Sequence, residues 1–104
     1  MVTRPTPSYP LEEIQAAVRH GRYLVTRRAA GDAVGLYFDE DDVKQCVLEL
    51  LDEDFYKSMA SRRIPGRWQD VYRRRYLGVA IYLKVQMTAD GRAVVISFKG
   101  DESA

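Results

Sequence analysis

The chain has 104 residues, 46% hydrophobic and 30% charged, which allows one domain with a single modest core and excludes both a two-domain protein and a disordered one. No apolar run nears the ~20 residues of a membrane span and no basic-then-apolar leader opens the chain, while one cysteine and one histidine cannot make an internal disulfide and argue against a protein-built zinc site; cytoplasmic residence without membrane contact, metal or cofactor is expected. The net charge of +1 conceals a reversal: residues 1–54 carry six Lys/Arg against eleven Asp/Glu, a balance of −5, and residues 55–99 carry ten against two, a balance of +8.

Residues 1–9 hold two prolines and no periodicity and read as an irregular arm. Pro10 suits the first turn of a helix, with Glu12 and Glu13 at its positive end. Leu11, Ile14, Ala17 and Val18 form its apolar stripe, and His20-Gly21 ends it. His20 is the unique histidine, but a cation near a helix C-terminus explains it without a catalytic role. Arg22 to Val25 reads as a short extended piece. Thr26 caps a second helix running to about Ala33, with Gly35 at its end, and Asp39 caps a third. Val43, Cys46, Val47, Leu50 and Leu51 give that third helix its buried stripe, which makes Cys46 a small core side chain and not a nucleophile.

From Phe55 the periodicity changes. Phe55 to Ala60 reads as extended, and Arg62 to Arg67 as a basic loop turning at Pro65-Gly66. Trp68 to Tyr76 is rich in strand formers, with Trp68 a core candidate by its size. Gly78 breaks that segment, Val79 to Thr88 follows as a strand, and Asp90-Gly91 turns the chain into an antiparallel partner over Ala93 to Lys99. Residues 100–104 read as a flexible tail. The sum is an α+β domain over residues 1–104, a mainly antiparallel sheet packed against two or three N-terminal helices. Alternation places Ile81, Leu83, Val85 and Met87 with Val94, Ile96 and Phe98 on the core face; Tyr82, Lys84 and Gln86 with Val95, Ser97 and Lys99 face away.

A basic half interleaved with tyrosine and tryptophan suits a surface that meets phosphates and stacks bases, although a solvated sheet face opposite acidic helices would give the same totals. More specific are four motifs in order: Asp54-Phe55-Tyr56-Lys57-Ser58-Met59, Trp68-Gln69-Asp70-Val71-Tyr72, Tyr82-Leu83-Lys84 and Ile96-Ser97-Phe98-Lys99. With weaker likeness back to Arg4 and Pro10-Leu11, the chain resembles the MqsR family (motility quorum-sensing regulator type), the toxins of type II toxin–antitoxin pairs. The resemblance implies a RelE-like fold and sequence-specific, metal-independent cleavage of mRNA. It implies a cognate antitoxin as partner, one with a DNA-binding domain in well-known members. It also carries a Lys, a Gln, a Tyr and a second Lys onto Lys57, Gln69, Tyr82 and Lys99. The loop Arg62 to Arg67 departs from the family by lacking its Tyr- and His-containing segment.

Metal-free RNA cleavage requires a base for the 2′-hydroxyl, cations for the charge gathering on phosphorus, and an acid for the departing 5′-oxygen. Lysine serves as base only with its pKa well below ~10.4, and crowding Lys57, Lys84 and Lys99 with arginines favours that. On this reading Lys57 or Lys99 is base or phosphate clamp. Tyr82, its pKa lowered by the same cations, is acid or hydrogen-bond donor, and Gln69 orients the phosphate or ribose. Lys84, Arg67, Arg73 and Tyr56 are substrate-binding candidates, although Tyr56 and Tyr72 also suit packing, and Arg73, Arg74 and Arg75 alternate faces so that at most one or two reach one phosphate track. The competing expectation is a non-catalytic module whose basic sheet docks nucleic acid or an acidic partner.

Overall fold

Helix starts are fixed by local chemistry. In the computed structural model, which describes residues 2–103, Pro10 stands just ahead of helix α1 (Leu11–Arg19) as its N-cap, one residue earlier than the first-turn position, with Glu12 and Glu13 in the first turn. Helix α2 (Arg27–Gly35) is capped by the Thr26 hydroxyl, which accepts the Ala29 N–H. Helix α3 (Glu40–Glu49) opens with a reciprocal box in which Asp39 accepts the Asp42 N–H and Asp42 accepts the Asp39 N–H. Each box or cap satisfies amides that no turn of the helix can reach, an effect worth about 0.5–2 kcal/mol.

The strands are β1 (Thr3–Arg4), β2 (Tyr23–Val25), β3 (Phe55–Ala60), β4 (Trp68–Tyr76), β5 (Val79–Met87) and β6 (Ala93–Gly100). They form one sheet in the order β1-β3-β4-β5-β6-β2, in which β2 runs parallel to β6 and the other pairs are antiparallel. The architecture is the expected α+β one: three helices on one face of a mixed sheet. Ile14, Val18, Ala33, Val43 and Val47 from the helices meet Tyr72, Leu83, Val85 and Phe98 from the sheet in a single core. Leu51, expected in the α3 stripe, lies beyond the helix and is exposed. Among the described residues no helix is long and apolar enough to cross a membrane.

Both chain ends are more ordered than their composition predicts. Within the arm 1–9, whose Met1 lies outside the described residues, Thr3 and Arg4 pair with Met59 and Ser58. The Ser8 and Tyr9 amides both donate to the Asp70 carboxylate at 3.0 Å. Asp70 is fully buried, and a buried carboxylate persists only where such donors replace water. Arg4 lies 3.5 Å over the Trp68 ring, so Trp68 is half-buried under a guanidinium and outside the core cluster. At the other end, Ala104 of the supposed tail is outside the described residues, but Gly100 belongs to β6 and Asp101 binds Arg73 Nε at 2.6 Å. Pairings between distant segments, invisible to local periodicity, tie both ends down.

The face assignment of β6 is also corrected. Lys84 pairs with Ser97, whereas Val85 pairs with Val95, so Ile96 is an extra residue in a β-bulge. Ala93, Val95 and Phe98 consequently enter the core while Val94 and Ile96 do not. Apparent alternation of Val94, Ile96 and Phe98 misled because one inserted residue exchanges the faces on its far side.

Candidate functional site

The face of the sheet turned away from the helices carries the predicted polar residues. Pairing runs Lys57 to Val71 to Lys84 to Ser97 across β3, β4, β5 and β6, and Arg73 to Tyr82 to Lys99 across β4, β5 and β6. Directly paired residues share a face, so these two rows lie side by side. Gln69 is two residues from Val71 on β4 and therefore on the same face, beside Lys84. Of the candidates, Lys57, Gln69, Tyr82 and Lys99 are thus brought together, and Lys84 sits between them.

Bulges on the two flanking strands build this surface. On β3, Phe55 pairs with Tyr72 but Lys57 pairs with Val71, leaving Tyr56 extra. Phe55 packs edge-on against Tyr72 on the core side, 5.6 Å between rings, and Tyr56 joins Lys57 on the open side. Tyr56 is 48% exposed, unlike core-bound Tyr72 at 1%. Its ring meets that of Tyr82 edge-on at 6.4 Å, with Lys57 Nζ 5.2 Å and the Arg73 guanidinium 5.0 Å from its centre. Lys99 Nζ lies 5.1 Å from the centre of the Tyr82 ring. The bulge on β6 turns Ile96 toward Lys84, where both line one groove.

Electrostatics divides the polar residues. Burial, then the charges of Lys99, Arg28, Lys57 and Arg62, hold the Lys84 ammonium below its ordinary pKa. Among the described residues no carboxylate forms an ion pair with Lys57, Lys84 or Lys99. The expected lowering of the Tyr82 pKa is overturned: burial, then Tyr56 and Asp101, raise it against the opposing pull of Arg73. Tyr82 therefore stays a protonated donor at neutral pH. Arg73 is held by Asp101 and by the Ser103 hydroxyl, and Arg74 turns to Asp54 and Glu49. Arg67 is half-buried in the turn before β4, its charge near the Tyr9 phenol and not in the open-face rows. His20 caps α1, its Nδ1 2.8 Å from the Ala16 carbonyl, and burial pushes the Cys46 thiol up to about 12. Neither belongs to the site.

Sequence reasoning missed Arg28. Counted with the acidic half of the chain, it nonetheless lines a groove of roughly 630 Å³ together with Gln69 and Lys84. Its signal was available only in three dimensions, because α2 follows β2 at the edge of the sheet beside β6. An open face of cations, an amide and two tyrosines, unopposed by acids at its centre, can grip a phosphate, neutralise its charge and exchange protons with it.

Comparison with known proteins agrees with the family expectation. The model of the family described as "Motility quorum-sensing regulator, toxin of MqsA" matches residues 6–100. The chain is 35% identical over 94 residues, covering 90% of it and 94% of the relative, to the mRNA interferase toxin MqsR of Escherichia coli (strain K12).

Proposed function

Because the chain belongs to the motility quorum-sensing regulator toxin family, we propose that it is the toxin of a toxin–antitoxin pair and an endoribonuclease that cuts mRNA and so arrests translation and growth. The observation that carries this reading is the convergence of Lys57, Gln69, Tyr82 and Lys99 around Lys84 on one open sheet face. The substrate is single-stranded mRNA in the cytoplasm, and the partner is a cognate antitoxin that covers this face.

Cleavage proceeds by attack of the 2′-hydroxyl on the adjacent phosphorus, leaving a 2′,3′-cyclic phosphate and a free 5′-hydroxyl. Of the lysines on the face, Lys84 has the environment that most favours the neutral amine, through burial and four surrounding cations. It is therefore assigned as the base that accepts the 2′-hydroxyl proton. Lys57 and the exposed Lys99, flanking it, clamp the phosphate oxygens as charge accumulates there. Tyr82, kept protonated, donates toward the leaving 5′-oxygen, and Gln69 fixes the ribose or a phosphate oxygen. A cation row can supply the charge neutralisation that a metal ion supplies in other nucleases.

Incubating the purified chain with mRNA tests the reading. Discrete fragments ending in 2′,3′-cyclic phosphate, formed equally well in EDTA, are expected. RNA that is retarded on a gel but stays intact would instead make the face a docking module. Mapping 5′ ends after induced expression then gives the cleavage sequence.

A further inference from the structure

We propose that the groove between the start of α2 and the loop joining β3 to β4 is a second RNA subsite, which holds the phosphate backbone next to the cleaved bond. This rests on the ribonuclease reading for its neighbour, with which it shares Gln69 and Lys84, while the three arginines that carry it lie outside the catalytic rows. Arg28 forms one wall, Arg62 and Arg63 the other, and Gln69, Lys84 and Ile96 lie between them. No acidic residue lines the groove, and among the described residues none of the three arginines has an ion-pair partner. All three are exposed. In this chain cations left solvated and unpaired are ordinary singly, as Arg75 shows; three facing across one trough are a polyanion site.

The walls are set by the fold. The Ser61 hydroxyl accepts the Arg63 and Ile64 amides, and the Ser61 amide donates to the Arg67 carbonyl at 2.8 Å, so the loop closes on itself. Opposite, Thr26 is spent on structure: its hydroxyl donates to the Ile96 carbonyl and accepts the Ala29 amide. This latch fastens α2 to the β6 bulge and places Arg28 over the groove. The trough opens at Lys84 and Gln69 onto the catalytic face, so a strand leaving the reacting phosphate enters it without a sharp turn. Its guanidiniums contact phosphates and leave base choice to other elements, because cations alone read no sequence.

Binding of fluorescent 2′-O-methyl oligouridylates, which cannot be cut, separates the two regions. The full-length R28Q/R62Q variant should bind a long oligomer about 10-fold more weakly than the parent at ~0.1 M salt, and its log–log salt slope should fall by about 1.4, roughly 0.7 per lost contact on a single strand. A dinucleotide, which covers only the catalytic face, should bind within about 2-fold of the parent under the same conditions. R28K/R62K should restore the slope. Unchanged binding of the long oligomer would overturn the subsite, and so would equal weakening of the short one, which would mark a general field effect. A chain that binds in this pattern yet never cuts RNA would sink the ribonuclease reading and leave the subsite standing. Cutting with an unchanged KM for long substrates in R28Q/R62Q would sink the subsite alone.

Discussion

The two faces of one sheet solve opposite problems. Toward the helices, Tyr72, Leu83, Val85 and Phe98 are almost wholly removed from water, and each contributes stability by burial, about 1.5–3 kcal/mol for a large apolar side chain. Toward solvent, the intervening positions on the same strands hold Lys84 and Lys99, whose charges repel, and the neutral Tyr82 phenol; Lys84 is also partly desolvated. Alternation lets one set of strands serve both ends, and the two bulges adjust which residue goes where. The stable face carries the costly one.

The largest expected effect is on the helix face. Phe98→Ala empties a site that Phe38 also packs against edge-on at 6.3 Å, and should cost about 3–5 kcal/mol in denaturant unfolding. Cleavage per folded molecule should hardly change, because Phe98 reaches no open-face group. Loss of cleavage in the still-folded fraction would show that the faces are coupled, breaking the division.

Lys84 comes next, and its replacement should move the two properties in opposite directions. Lys84→Met should lower kcat on the order of 10²–10³-fold and leave the melting temperature unchanged or higher. The sign follows from linkage. A lysine whose folded pKa lies below its unfolded one binds fewer protons when folded, so it penalises the fold at low pH and the penalty fades as pH rises through the lowered value toward the ordinary one. Met has no such penalty, so the gain of Lys84→Met should be greatest in acid and shrink with rising pH. Lys84→Arg should stay as inactive as Met, since a guanidinium does not give up its proton. An active Lys84→Arg enzyme would make Lys84 a clamp and return the base role to Lys57 or Lys99.

The helix face was readable because its causes are local. Caps at Thr26 and Asp39 and the stripes of α1 and α3 are patterns within one turn or two, and apart from Leu51 they reappear where expected. The open face was readable only in part. Lys57, Gln69, Tyr82 and Lys99 converge, but no local rule announces a bulge, so alternation puts Ile96 in the core and favours packing for Tyr56. The pKa of Tyr82 went the other way because burial outweighs the single cation that opposes it. Charge summed along the chain hid Arg28 among acids that face elsewhere in space. Asp70, one of two acids in a basic half, has no local pattern that announces its role, yet it fastens the N-terminal arm.

That last residue gives a test of intermediate size. Asp70→Ala leaves the Ser8 and Tyr9 amides without their acceptor and should destabilise by about 2–3 kcal/mol. Amide exchange should accelerate first in Thr3 to Tyr9. Since β3 pairs with β1 on one side and presents Lys57 from its other positions, cleavage should fall only as far as β3 loosens. If exchange speeds up evenly through β5 and β6 as well, Asp70 is part of the global core and the arm is no separate unit.

The smallest effect is at the boundary of the two regions, where Asp101 holds Arg73. Hydrogen bonds from Ser103, then Arg73, keep the Asp101 carboxyl below its ordinary range. A depressed carboxylate contributes stability above its unfolded pKa and loses it as pH falls through the lower folded value, so this clamp persists throughout the neutral range. Arg73 is thereby neutralised at the edge of a face whose lysines have no ion-pair partner among the described residues. In Asp101→Asn the Arg73 charge becomes available to phosphate. Affinity for single-stranded RNA should rise about 2- to 3-fold at ~0.1 M salt and the salt slope should steepen by about 0.7, one added contact. The opposite result, slower cleavage at unchanged affinity, would mean that Asp101 aims Arg73 at the Tyr56 ring and through it positions Lys57. The open face would then depend on an acid as well as on its cations.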